Sequence, residues 1–398
     1  MHTDYRIAAM PRPSAAPDMT FLSMEAARRV RAFHKTFPQY SMTPLKALPQ
    51  TAELLGVASI HVKDESFRFG LNAFKVLGGS YAIGSILADR LGLDGDGMTY
   101  GALTSPQARR QLGQMTFITA TDGNHGRGVA WAAREYGHRS VVRMPAGSAS
   151  ERLENIRACG ADAAITDCNY DDTVRLCARM AQENGWTLVQ DTAWDGYEQI
   201  PMRIMQGYMT MGLEAMEQLP QPPTHLFLQA GVGSMAAAIA ELYASAYGEN
   251  RPTIIIVEPN EADCFYRTAA AADGALHAVT GSMPTIMAGL ACGEPCSIAW
   301  DVLSACADYC VTCPDEAAAR GMRILGNPWG GDERVISGES GASGFGCAAQ
   351  ILTLPELEPM RRQLGLSASS RLLFLSTEGA TDRANYRRIC WEGLHANV

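Results

Sequence analysis

Three observations predict an α/β protein with two open, mostly parallel sheets flanked by helices. Short β-branched or apolar runs alternate with helix-patterned segments, which is how βαβ units on a parallel sheet are written. The alternation occurs twice, over 117–191 and over 225–376, on either side of Leu219-Pro-Gln-Pro-Pro223, the most proline-dense stretch in the chain. Several of the strands run directly into glycine-rich loops, and open sheets of this class bind ligands at the carboxyl ends of their strands.

The composition agrees with that class. With 398 residues, 47% hydrophobic and 19% charged, the chain is long enough for two domains with sizeable cores. A formal net charge of −9 without any Lys/Arg run makes nucleic-acid backbones and anionic membrane surfaces poor partners. Residues 1–19 carry Pro11, Pro13 and Pro17 in place of an apolar core, and no run of about 18 apolar residues occurs. The expectation is a cytoplasmic protein with neither signal peptide nor membrane span. Cys292, Cys296, Cys306, Cys310 and Cys313 lie close together, but only Cys310-Val-Thr-Cys313 has a zinc-like spacing, and it reads as a strand end. Buried apolar thiols and no metal are expected. A redox-responsive pair, Cys264 with Cys292, is the other reading left open.

In chain order, an irregular arm precedes a helix over 23–36, where Glu25-Ala-Ala-Arg-Arg-Val-Arg-Ala32 is rich in helix formers. A second helix over 45–55 ends at Gly56. A strand over 58–65 then delivers Lys75, which stands between that strand and a small-residue helix start at Gly78-Gly79-Ser80. A helix over 80–91 and a turn-rich connection over 92–110 follow. The first series has strands at 117–121, 140–144, 161–166 and 187–191, with helices at 126–136, 151–159 and 170–184. A long helix over 198–218 leads to the proline cluster. The second series has strands at 225–230, 253–258, 308–312 and 371–376, with helices near 234–247, 315–325, 341–352 and 382–391.

Four loops at strand ends carry chemistry. In Thr119-Ala-Thr-Asp-Gly-Asn-His-Gly-Arg-Gly128, Asp122 or Asn124 could be a helix N-cap, but polar side chains among three glycines also suit close approach of a ligand. Leu228-Gln-Ala-Gly-Val-Gly-Ser-Met235 places backbone amides at a helix start, an anion site suited to a phosphate. A dinucleotide site is the alternative there, with Glu258 roughly where a ribose-binding acid would stand. Asp191 and Asp195 sit at the mouth of the cleft, where either may instead cap the long helix that follows. Leu373-Phe-Leu-Ser376-Thr377-Glu-Gly379 delivers hydroxyls into a glycine turn.

Lysine after Asn-Ala-Phe, then Gly-Asn-His-Gly, the glycine loop and a terminal Ser-Thr-Glu-Gly, in that order, resemble the fold-type II pyridoxal-phosphate enzymes, the serine/threonine dehydratase and tryptophan synthase β group. Within that group, Thr121–Gly126, Gln190–Asp195, Thr285–Pro295 and Gly338–Ala342 resemble the diaminopropionate ammonia-lyase family. The resemblance runs from about Gln39 to Trp391. It implies a large cofactor-binding domain of 1–87 and 187–398, a small domain of 88–186, pyridoxal 5'-phosphate in the cleft between them, and a homodimer.

The resemblance also assigns roles. Lys75 would hold the cofactor aldehyde and shuttle the Cα proton, its pKa lowered by burial. The amides of Gly231, Val232, Gly233 and Ser234 would hold the phosphate, Asn124 the ring hydroxyl, and Ser376 or Thr377 the pyridine nitrogen. Asp122, where typical dehydratases of the fold carry a small residue, would be a second base opposite Lys75, so that both enantiomers of 2,3-diaminopropionate are processed. Asp191 would hold or protonate the leaving β-amino group. A serine/threonine dehydratase or β-replacement synthase is the alternative activity, and a noncatalytic ligand-binding protein of the same fold is the third reading.

Overall fold

The computed structural model describes residues 4–121 and 123–396. The chain opens with β1 (Arg6–Ala9), α1 (Met24–His34), β2 (Leu45–Ala47), α2 (Pro49–Leu55), β3 (Ser59–Asp64) and α3 (Val76–Leu91). Two short helices, α4 (Tyr100–Leu103) and α5 (Pro106–Leu112), occupy the turn-rich connection. The first alternating series is β4 (Thr116–Ala120), α6 (Asn124–Glu135), β5 (Arg139–Met144), α7 (Ser150–Ala158), β6 (Asp162–Ile165), α8 (Tyr170–Asn184) and β7 (Thr187–Leu188). The long helix α9 (Gln199–Gln218) follows, then β8 (His225–Gln229), α10 (Ser234–Tyr247), β9 (Thr253–Pro259), α11 (Cys264–Ala271), α12 (Ser297–Cys306) and β10 (Tyr309–Cys313). The chain finishes with α13 (Asp315–Gly326), α14 (Glu339–Thr353), α15 (Glu358–Gln363), β11 (Arg371–Ser376) and α16 (Arg383–Cys390).

These strands form the two sheets that the sequence predicts. The larger has seven strands in the order β1-β10-β9-β8-β11-β3-β2, and the smaller has four, β6-β5-β4-β7. The smaller sheet is wholly parallel. The larger is parallel through its five central strands, while β1 and β2 close its edges antiparallel. Alternation along β8 divides its core: Leu226 and Leu228 pack with the cluster around α3, α9 and α10, and Phe227 packs with the cluster around α13 and α14.

The sequence reading places no helix at α11, α12 or α15 and runs β7 on to 191, and three further elements differ from it. Residues 45–47 form β2, paired with Lys63 to His61, and not the start of a helix. The reason is Pro49 at the first turn of α2, because a residue before proline is kept out of the α region and the helix cannot begin earlier. Helix α3 begins at Val76, directly after Lys75, so Gly78 and Gly79 lie inside it. The arm supplies β1, held on β10 by sheet hydrogen bonds that its own sequence does not announce.

The cysteines are free thiols, nine of them buried, with Cys264 and Cys292 both among those nine. No cluster of potential metal ligands is found among the described residues.

Candidate active site

The segments that follow β3, β4, β5, β8 and β11 line a cavity of about 610 Å³. Lys75, Asn124, Asp191, Gly231, Val232, Gly233, Ser234 and Thr377 all line it. Ser376 does not: its hydroxyl donates to Ser337 Oγ at 2.8 Å in the protein interior. Asp122 lies outside the described residues.

Lys75 owes its place to how closely the flanking helices approach. A Cβ on Gly128 of α6 would stand 2.8 Å from the Val76 Cα, so only glycine lets α6 cross the start of α3 at this distance. The loop before the lysine is tied to the Thr377 segment by Phe74 N–H to Thr377 O at 3.0 Å and Gly379 N–H to Asn72 O at 3.0 Å. Lys75 Nζ then reaches Asp191 Oδ2 at 2.5 Å, with its side chain 18% exposed to the cavity.

Asp191 is set by groups from both sheets. Gln190 accepts from Thr119 Oγ1 and from the Ala120 amide, which fixes the backbone just before the aspartate. Ser234 Oγ donates to the Asp191 carbonyl at 2.7 Å. Burial alone would raise the Asp191 carboxyl, but the Lys75 ammonium, with His125 beside it, outweighs burial and holds the carboxyl well below the ordinary carboxylate range.

The glycine loop joins β8 to the fourteen-residue helix α10. Gly233 has φ +90°, and a Cβ there would lie 2.3 Å from the Phe265 ring. Gly231 is backed by the Gly289 carbonyl and Leu290, within the 285–295 stretch singled out in the sequence. Since the Ser234 hydroxyl is turned to Asp191, what this loop offers a ligand is its backbone amides at a helix N-terminus. The dinucleotide alternative loses its acid: Glu258 is fully buried and accepts from the Phe265 and Tyr266 amides at 2.9 and 2.7 Å, at the start of α11. Burial pushes its carboxyl up to about 8.

Other lining residues have no role in the sequence reading. Gln229 Nε2 donates to Thr377 Oγ1 at 3.0 Å, so the proton of that hydroxyl is directed elsewhere. Asn124 Nδ2 donates to Glu378 Oε2. Glu339 accepts from Asn385 at 2.6 Å, and burial, followed by the neighbouring Glu378, pushes its carboxyl up to about 7. Glu339 and Glu378 each stand as a charged residue inside a small-residue motif, Gly338-Glu-Ser-Gly and Ser376-Thr-Glu-Gly, and that was the available signal.

The arrangement fits pyridoxal 5'-phosphate on its own terms. It joins an amine, an amide cradle for a doubly charged phosphate, and a hydroxyl whose proton can serve an unprotonated ring nitrogen. Comparison with known proteins agrees. Residues 36–363 match the family described as pyridoxal-phosphate dependent enzyme. The diaminopropionate ammonia-lyase of Salmonella typhimurium strain LT2 is 50% identical over 383 residues, 95% of each chain. The holo crystal structure of the Escherichia coli diaminopropionate ammonia-lyase superposes with a TM-score of 0.92 at 46% identity, covering 100% of this chain and 99% of that one. The same enzyme in complex with D-serine gives 0.91 at 45% identity, covering 99% and 98%. This chain belongs to the pyridoxal-phosphate dependent enzymes, within the diaminopropionate ammonia-lyase family.

Proposed function

We propose that this protein eliminates ammonia from 2,3-diaminopropionate, of either configuration, to give pyruvate and two ammonia. The observation that carries the reading is the 2.5 Å contact between Lys75 Nζ and Asp191 Oδ2 inside the cavity, which sets an amine and a carboxylate side by side. When bound, pyridoxal 5'-phosphate supplies an aldehyde for the substrate's α-amine and a conjugated ring that accepts the electrons of the Cα–H bond. Lys75 takes the Cα proton. Asp191 holds or protonates the β-amino group, so that it is an ammonium when its bond breaks. The Cβ–N bond then breaks with its electron pair leaving on ammonia. Water hydrolyses the released enamine to pyruvate and the second ammonia.

The amides of Gly231, Val232, Gly233 and Ser234 hold the phosphate, and Asn124 donates to the ring oxygen. Thr377 serves the ring nitrogen in this reading, and Ser376, outside the cavity lining, does not. Asp122 takes the Cα proton of the enantiomer that Lys75 does not serve; the D-serine bound by the E. coli relative supports a site open to D-amino acids. We further propose a small domain of 88–186, a larger domain of 1–87 with 187–398, and a cytoplasmic homodimer. Among the described residues no helix is long and apolar enough to cross a membrane.

The test is an assay of purified, cofactor-loaded protein with each enantiomer of diaminopropionate, with serine and with threonine. Two ammonia per pyruvate from diaminopropionate is expected. Pyruvate or ketobutyrate from the hydroxy amino acids alone would move the assignment to a dehydratase. In Asp122→Asn, turnover of one enantiomer falls about 10²-fold or more while the other is largely kept; equal losses for both would end the division of labour.

A further inference from the structure

Glu378 is a buried carboxylate where three parts of the site meet. Its Oε2 accepts from Asn124 Nδ2, and its Oε1 accepts from the Ser340 amide at 3.2 Å. Thr381 Oγ1 adds a longer contact to Oε2 at 3.4 Å. Its backbone pairs with Ala73 just before the lysine, and its carbonyl accepts from Gly338 N–H at 2.9 Å. Backbone and carboxylate are thus both fixed, with the residue 2% exposed. Asn124, its partner, opens α6 beside the four-stranded sheet, while Glu378 follows β11 of the seven-stranded sheet. The hydrogen bond therefore crosses the cleft.

A primary amide can present either its carbonyl or its NH₂ group in a given direction, and the two orientations differ by a flip of the side chain. A carboxylate whose oxygens already accept from an amide and a hydroxyl selects the NH₂ orientation of Asn124. The nitrogen carries two N–H bonds, and one is used by Glu378. We propose that Glu378 is a positioning residue, which fixes the Asn124 amide across the cleft so that its remaining N–H serves the ring oxygen of the cofactor. The inference rests on the role given to Asn124 in the reading above. It gives the second acid of Ser376-Thr-Glu-Gly a function, and it makes cofactor capture depend on the two sheets standing in register.

A double-mutant cycle read by cofactor affinity tests this. Cofactor is removed from wild type, Asn124→Ala, Glu378→Ala and the double variant, and each is titrated with pyridoxal 5'-phosphate by its visible absorbance. Each single change is expected to weaken binding about tenfold to a hundredfold, the worth of one hydrogen bond to a charged group. The double variant should bind no more than about threefold worse than Asn124→Ala, because a residue that acts through another adds nothing once that other is gone. A Glu378→Ala loss equally large in both backgrounds would overturn the proposal and leave Glu378 a general structural residue.

If Glu378→Ala does not fold, Glu378→Gln decides, since it keeps the side-chain volume but removes the charge that selects the Asn124 NH₂ group. A cofactor affinity lowered about tenfold in the wild-type background and no more than about threefold in the Asn124→Ala background is expected, and an equal loss in both backgrounds overturns the proposal. Turnover of diaminopropionate by wild type is assayed separately, so failure of the substrate reading is not mistaken for failure of the Glu378 role.

Discussion

Two lysines twelve positions apart in one stretch, Lys63 and Lys75, meet opposite fates. Lys63, in β3, is fully buried, and its ammonium donates to Thr43 O at 2.8 Å, Gln218 Oε1 at 2.7 Å and Glu214 Oε2 at 2.9 Å. Three donors meet three acceptors, and Arg68 with Glu65 completes the same closed network. Burial lowers the Lys63 pKa, with Glu214 and Glu65 opposing. Lys75 instead faces a cavity and shares a carboxylate that lines the same cavity. A buried lysine by itself says nothing of chemistry; what matters is whether its neighbours consume its valences or leave the site room for a ligand.

The comparison is most easily broken by exchanging the losses. Lys75→Ala should lower pyruvate formation by about 10⁴-fold or more while unfolding within a few degrees of wild type. Lys63→Met should do the reverse, costing about 3–5 kcal/mol in denaturant unfolding because Glu214 and Glu65 lose a buried partner. Whatever fraction folds should still gain the visible absorbance of bound cofactor. An active, stable Lys75→Ala or a harmless Lys63→Met would erase the distinction.

A smaller effect sharpens the cavity side. Asp191→Asn keeps the side-chain volume but removes the charge beside Lys75, and kcat/KM for diaminopropionate should fall about 10²- to 10⁴-fold. An unchanged KM with unchanged kcat would show that the carboxylate is only scaffolding. Gly233→Ala forces a left-handed conformation on a residue with a Cβ, at about 1–2 kcal/mol before the contact with Phe265 is counted. Relief of that strain moves the loop amides off the phosphate, and cofactor affinity should drop about tenfold. Equal affinity in a titration would remove this loop from the phosphate site.

A pH-dependent effect concerns two buried acids shifted in opposite directions. Glu258 titrates near 8 when folded and near 4.3 when unfolded. The folded form therefore keeps a proton that the unfolded chain releases, and the stability this gives, complete below about pH 4.3, is lost as pH rises to 8. Glu258→Gln should flatten that part of a stability-against-pH curve. Asp191, held low, works the other way: its contribution is present above about pH 4 and fades on acidification. A Glu258→Gln curve parallel to wild type from pH 5 to 8 would contradict the raised carboxyl.

Much of this was legible in the sequence, for physical reasons. Glycine loops at strand ends announce themselves because close backbone approach excludes side chains, so the sequence directs attention to Lys75, Asn124 and the loop at Gly231, which the fold gathers around one cavity. The choice between Ser376 and Thr377 was not, since neighbouring residues at a strand's end point to opposite faces and only the packed sheet says which face meets the cavity. Ser376 turns to Ser337, and Thr377 to Gln229. Glu339 and Glu378 were quoted within motifs yet given no role, because their partners Asn385 and Asn124 stand far from them in the chain. Glu258 misled because an acid ending a strand looks alike whether it faces a ligand or caps the next helix.

The order of strands has a consequence for biosynthesis. Strand β11 lies between β8 and β3, pairing Arg371 with Ser59 and Ser376 with Asp64. During translation at about 5–20 residues per second, β3 therefore waits on the order of tens of seconds for its inner neighbour. Until then one flank of β3 is an unpaired strand edge, the kind of surface on which nascent chains associate wrongly. Thr377 and Glu378 arrive with that last strand. In the proposed site, cofactor capture is thus deferred until β11 has been made, and a chaperone that shields β3 would act before there is a site to fill.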